Sequence, residues 1–363
     1  MIPVTKPFLP PKAFYHDLVE GIWKRNWLTN GGPLVSQLEN DLAAYLGTNK
    51  LLYLTNGTVA IQIAIKALDL QGEIITTPFS YVATTSSIVW ENCKPVFADI
   101  DIRTANINPS LIEPLINEQT SAILATHCFG NACDIDAIER LAKAYGLKVI
   151  YDAAHCFGTL YNGQSIFNFG DVVTTSFHAT KLFHTVEGGA VFTQNQEVLS
   201  KMAYMRNFGH NGPESFAGLG INGKNSEFHA AMGLSVLPHM DDVLTERRAQ
   251  YGRYKRWLNS CDVDLLTHVD ACVPNCAYFP IIFTTESALL DTVQALTDRG
   301  IYPRRYFYPS LSSLDYVDAD PTPRSDDLAR RILCLPLYHD LSEQEQESIT
   351  NIIVASVGQH SNV

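Results

Sequence analysis

From about residue 50 to 195, short apolar runs alternate with segments of helical periodicity, and this alternation restricts the fold more than any other feature of the chain. Leu51–Leu54, Glu73–Thr77, Pro95–Ala98, Ala122–Thr126, Lys148–Tyr151, Val172–Ser176 and Gly189–Thr193 read as strands. Between them, Thr58–Leu68, Tyr81–Trp90, Pro109–Ile116 and Ile135–Tyr145 read as helices. Strands and helices alternating in this way build an α/β fold whose mostly parallel sheet is covered on both faces.

The flanks are different. The first 30 residues are rich in proline and aromatics, and Trp27–Pro33 reads as a loop leading into a helix over Leu34–Leu46. Near Pro238 the pattern changes to a charged amphipathic helix over Glu246–Leu258 and a strand over Ala277–Phe283. Helices follow over Ala288–Arg299, Ser325–Leu333 and Ser342–Val357. We therefore expect a large domain over 1–240, including an N-terminal arm, and a smaller C-terminal α/β domain over 241–363. A net charge of −12 without a basic block argues against nucleic acid. No apolar stretch is long enough for a membrane span, and the N-terminus lacks the pattern of a signal peptide, so a cytoplasmic protein is expected. Eight scattered cysteines in a chain of 363 residues suggest free buried thiols; His268, Cys272 and Cys276 have only weak metal spacing, and no metal is expected.

Two charged residues lie at the ends of apolar runs. Asp152 closes Leu147–Asp152, and Lys181 follows 29 residues later in Thr174–Lys181, just before Glu187-Gly188-Gly189. Taken singly they read as a capping carboxylate and a solvated amine. Together they suit pyridoxal phosphate (PLP), whose aldehyde requires an amine and whose pyridine nitrogen requires a carboxylate to stay protonated. Gly57 and Thr58 stand at a strand-to-helix turn that can receive a phosphate, although taken alone this motif reads better as a plain helix cap. Ser176 offers a second phosphate contact, and Tyr81 an aromatic face for a flat ring. Phe79 reads as core. His155 either approaches the ring or its phenolic oxygen, or is a satisfied core histidine. Gly218–Gly223 fits GxGxxG but follows no strand, so the dinucleotide reading fails on context.

These segments resemble the DegT/DnrJ/EryC1/StrS sugar aminotransferases. The likeness is carried by Thr55–Thr58, Pro78–Thr84, Asp152-Ala153-Ala154-His155, Ser176–Lys181 with Glu187-Gly188-Gly189, Gly220–Glu227, and Arg304–Pro309. It implies a PLP-dependent transferase of fold type I, with a mostly parallel mixed sheet, active as a homodimer with shared sites. By that resemblance Lys181 holds the cofactor, Asp152 faces its pyridine nitrogen, Gly57, Thr58 and Ser176 contact its phosphate, and Tyr81 stacks on its ring. Asn222 would reach the phosphate from the neighbouring subunit, and Lys224 would meet a nucleotide-sugar phosphate or the cofactor. Arg304, Arg305, Tyr306 and Tyr308 either border the sugar nucleotide or form a basic, aromatic surface turn. Two departures stand out: His155 replaces the glutamine of many members, and Val186 replaces the first glycine of their Thr-Gly-Glu-Gly-Gly. The second change is expected to be tolerated because Gly188 and Gly189 remain.

The implied reaction transfers an amino group from L-glutamate to a nucleotide-linked keto-sugar, Lys181 moving the proton as base and acid. The lysine segment most resembles enzymes that aminate C4 of a dTDP-4-keto-6-deoxyhexose, giving dTDP-4-amino-4,6-dideoxyglucose; such deoxyaminosugars serve lipopolysaccharide O-antigens. Acceptors that are 3-keto or UDP-linked stay open. Lys181 argues against a sugar dehydratase of this fold, and the Asn222–Glu227 segment against a PLP aldolase or lyase. A noncatalytic PLP-binding sensor has no reason to keep the set intact.

Overall fold

Seven strands form the central sheet of the protein, whose computed structural model describes residues 1–360. They are β1 (Leu51–Leu54), β2 (Glu73–Thr76), β3 (Lys94–Phe97), β4 (Thr120–Thr126), β5 (Lys148–Asp152), β6 (Val172–Ser176) and β7 (Gly189–Phe192). Their spatial order is β1-β7-β6-β5-β4-β2-β3, and only β7 runs antiparallel to its neighbours. Alternate residues enter opposite cores: Tyr53, Val149 and Tyr151 pack in one, and Leu54, Ile150 and Val172 in the other. With both faces covered, each strand needs apolar side chains throughout, so the strands read as unbroken runs.

Eight helices accompany this part of the chain: α1 (Lys12–Arg25), α2 (Pro33–Leu46), α3 (Gly57–Ala67), α4 (Val82–Trp90), α5 (Ile135–Tyr145), α6 (Gln196–Met205), α7 (Glu227–Val236) and α8 (Met240–Leu258). Helix α1 lies in the arm, where no helix is expected from the sequence, although Tyr15, Leu18 and Ile22 recur at helical spacing and face the large core. The helix expected over Pro109–Ile116 is instead two 3₁₀ turns, Pro109–Leu111 and Glu113–Leu115. Pro114 lacks an N–H, and its ring would collide with the carbonyl of residue 110 in a continuous helix. Helix α8 starts six residues earlier than its charged pattern suggests, directly after a 3₁₀ turn at Leu237–His239.

The C-terminal part contains a three-stranded antiparallel sheet of β8 (Val263–Leu265), β9 (Phe279–Phe283) and β10 (Ile332–Leu335). Helices α9 (Glu286–Thr297), α10 (Pro323–Arg331) and α11 (Glu343–His360) accompany it. Helix α8 joins the two regions, with Val243 and Leu244 in a core of the central sheet and Tyr254 and Leu258 in the C-terminal core. Arg304 forms an isolated antiparallel bridge with Cys334 of β10, which carries the following residues to the end of the central sheet. Among the described residues, no helix is long and apolar enough to cross a membrane.

Candidate active site

A cavity of about 270 Å³ opens where the carboxyl ends of the parallel strands meet residues 304–307. Asp152 and Ser176 are the last residues of β5 and β6, and both line it with Lys181. This end of a parallel sheet is where backbone termini and loops are free to converge on a ligand. The Asp152 carboxylate is buried; Oδ2 accepts from Thr84 Oγ1 at 2.8 Å and Oδ1 from the Ala154 N–H at 3.1 Å. Burial raises its pKa, while those two hydrogen bonds and the Lys181 charge pull the other way. Lys181 sits in the loop after β6, its N–H bonded to the His178 carbonyl at 2.8 Å. Burial lowers its ammonium pKa to about 8; Asp152 opposes that shift and Arg304 adds to it.

Helix α3 points its N-terminus at the same cavity. The Asn56 side chain caps it by accepting from the Val59 N–H at 2.9 Å, and Asn56, Gly57 and Thr58 line the cavity. The cap and a helix N-terminus open to an anion are thus compatible, since one side chain satisfies only part of the first turn. Gly189 explains the glycine pair after Glu187. A Cβ there would lie 2.5 Å from the Asn56 carbonyl, so only glycine lets β7 pass the cap. Val186 has φ 67°, the left-handed region that suits glycine and disfavours a β-branched side chain.

His155 is buried among Phe129, Tyr278 and Phe307, with ring centroids at 6.1, 4.4 and 5.6 Å. Its Nδ1 accepts the Phe129 N–H at 3.2 Å, and burial, then Lys181, holds its pKa well below the usual value. The ring is therefore neutral with its proton on Nε2. Tyr81, at the N-cap of α4, is half exposed and lines the opening. Of the turn residues, Arg304, Tyr306 and Phe307 line the cavity. Arg305 instead pairs with Glu286 at 2.6 Å and stacks over Tyr308 at 3.7 Å, and neither Arg305 nor Tyr308 reaches the cavity. Asn222 and Lys224 also lie off it; Lys224 Nζ donates to Asn222 Oδ1 at 2.7 Å and lies 4.3 Å from the Phe208 ring centroid.

The DegT/DnrJ/EryC1/StrS aminotransferase family model matches residues 12–354. The chain belongs to that family. It is 39% identical to a dTDP-4-amino-4,6-dideoxy-D-glucose transaminase of Shigella dysenteriae over 96% of this chain and 97% of the relative. It is 34% identical to an Escherichia coli protein of the same name over 98% and 99%. The solved structure of DesI, determined in the presence of its TDP-sugar product, superposes with a TM-score of 0.93 at 28% identity, covering 99% of this chain and 94% of that one.

Several residues that shape the site of this DegT-family chain carry no role in the sequence reading. Ser80, Thr84 and Thr126 form a hydroxyl chain behind Asp152. Thr84 lies in α4, and its partner Asp152 is 68 residues away, so no local pattern marks it. His178 and Glu187 face each other at 3.6 Å on the cavity lining. The Gly220–Glu227 segment also works within its own chain. Asn225 Nδ2 donates to the Glu187 carbonyl at 3.0 Å, and buried Glu227 accepts the Leu34 and Val35 N–H groups at 3.0 and 2.9 Å. Glu227 thereby caps α2, which a reading of local sequence cannot see because its partners lie 193 and 192 residues away.

Proposed function

We propose that the chain is a PLP-dependent aminotransferase that moves an amino group from L-glutamate to C4 of dTDP-4-keto-6-deoxy-D-glucose, giving dTDP-4-amino-4,6-dideoxy-D-glucose. The observation that carries this reading is the convergence of Asp152, at the end of β5, and Lys181, in the loop after the adjacent β6, on one cavity. The two transaminase relatives, alike over nearly their whole length, support the sugar.

The residues fit PLP. Asp152 is a buried carboxylate whose two hydrogen-bond donors are neutral, which suits a protonated ring nitrogen as counter-ion. The α3 N-terminus with Ser176 suits a phosphate. Tyr81 offers a ring face, and His155 offers a neutral Nε2 donor to the ring's substituents. When bound, PLP supplies an electron sink for the bond broken at the substrate's amino-bearing carbon. Lys181 Nζ, whose pKa burial lowers to about 8, would carry the proton released from that carbon as base and then acid. Asp152 keeps the ring nitrogen protonated. Arg304 offers the cavity lining a guanidinium for an anionic substrate.

The working unit is a homodimer. Asn222 and Lys224 lie off their own chain's cavity, and Phe208, Phe216 and Leu219 beside them are 48%, 67% and 75% exposed, which supports a second copy on this surface. We propose a division into domains near residue 240, within the helix α8 that links the two regions. The test is the absorption spectrum of PLP-loaded protein. L-glutamate should convert it to that of the pyridoxamine form, and dTDP-4-keto-6-deoxyglucose should restore it. A spectrum indifferent to every amino donor would contradict the reading.

A further inference from the structure

Behind Asp152 lies a row of buried hydroxyls whose protons can point only one way. Thr84 Oγ1 stands 2.8 Å from Asp152 Oδ2, Ser80 Oγ 2.8 Å from Thr84 Oγ1, and Thr126 Oγ1 2.8 Å from Ser80 Oγ. An ionised carboxylate has no proton to give, so Thr84 donates to Asp152. A hydroxyl has one proton, so Ser80 must donate to Thr84 and Thr126 to Ser80. Thr126 is the register partner of Asp152 across β4 and β5, so the row bridges both strands through the start of α4. Thr84, Ser80, Thr126 and Asp152 are 0%, 1%, 4% and 6% exposed, which denies them ready replacement by solvent.

We propose that Thr84 is a positioning residue: fixed by the row Thr126, Ser80, Thr84, its hydroxyl holds the Asp152 carboxylate as an acceptor aimed at the ring nitrogen of PLP. The inference rests on the proposed PLP chemistry of this cavity. Its physical basis is a competition. Burial favours the neutral acid, which cannot accept from a ring N–H through a charged bond, while a donor locked toward the carboxylate favours the anion. The other titratable groups acting on Asp152 are Lys181 and the thiols of Cys128 and Cys156, whose pKa values burial raises; His155 lines the same cavity. None of these donates a hydrogen bond to the carboxylate.

The test uses the PLP-loaded protein with ¹⁵N in the cofactor ring, reading the ring-nitrogen resonance against pH together with the PLP dissociation constant. Thr84→Val should lower the pH at which the ring proton is lost by about one unit and weaken PLP binding about tenfold, the scale of a hydrogen bond to a charged group. Thr84→Ser should behave as the unmodified protein. Ser80→Ala, which leaves Thr84 in place, should show a smaller shift, and Thr126→Val the smallest. That gradient is absent if the row merely packs the core, and Ser80→Ala carries the test should Thr84→Val fail to fold. A Thr84→Val protein that folds, keeps the ring proton and binds PLP unchanged would overturn the inference alone. An unprotonated ring nitrogen in the unmodified protein would overturn the Asp152 reading, and this inference with it.

Discussion

On the sheet side of the cavity, Thr126, Asp152 and Ser176 are the last residues of strands paired on both edges. On the opposite side, Arg304, Tyr306 and Phe307 come from an irregular segment tied to β10 by the single Arg304–Cys334 bridge. The pleat fixes which way a strand residue points, so a run of sequence translates directly into a wall. The irregular segment obeys no such period: Arg304 enters the cavity and its neighbour Arg305 leaves it for Glu286. The sheet side is therefore suited to hold a cofactor in one pose, and the other side to meet substrates.

Substitutions on the sheet side should have the largest effects. Lys181→Ala removes the proposed proton carrier, and transamination should fall roughly 10⁴-fold, the upper range for a positioned acid–base residue. Steady-state turnover with L-glutamate checks this. The same amine sets a pH dependence. Below its value of about 8 the apoprotein's Lys181 is protonated and not nucleophilic, and above it the amine is free. The rate of PLP capture by apoprotein should thus rise about tenfold per pH unit up to that value and then level off; stopped-flow absorbance would show it. A rate that still climbs tenfold per pH unit well above that value would mean that burial does not lower the lysine.

On the opposite side, Arg304→Gln should raise the KM of an anionic substrate about tenfold, as loss of one charge-assisted contact predicts, with PLP affinity nearly unchanged. Half-reactions with L-glutamate and with the nucleotide sugar separate the two substrates. An equal loss of PLP affinity would erase the distinction between the walls.

The smallest effects concern the frame. Val186→Gly should stabilise the protein by about 0.5–1 kcal/mol, since relief of a left-handed β-branched residue exceeds the added freedom of the unfolded chain. Glu286→Gln should cost about 0.2–1 kcal/mol, as for a partly exposed ion pair, and leave both KM values alone. Chemical denaturation checks both. A KM change in Glu286→Gln would show that Arg305 communicates with the cavity.

This contrast also explains what the sequence could and could not convey. The seven central strands were legible because each is buried on two faces, and Asp152 and Lys181 were legible because a charge beside such a run is conspicuous. Helix α1 was obscured by the prolines and exposed aromatics around it, although Tyr15, Leu18 and Ile22 form its inner face, and Pro114 divided an expected helix into two turns. Thr84 and Glu227 act through partners 68 and about 193 residues away, and such contacts leave no local pattern. Arg304 and Arg305 were indistinguishable in sequence. Only the bridge to β10 separates them.

The most direct test of the sheet wall as cofactor holder is to load the protein with PLP, reduce it with borohydride and locate the attached mass by peptide mass spectrometry. The account predicts the label on Lys181 alone. A label on another lysine, such as Lys224, or no covalent label in a protein that retains PLP, would contradict it.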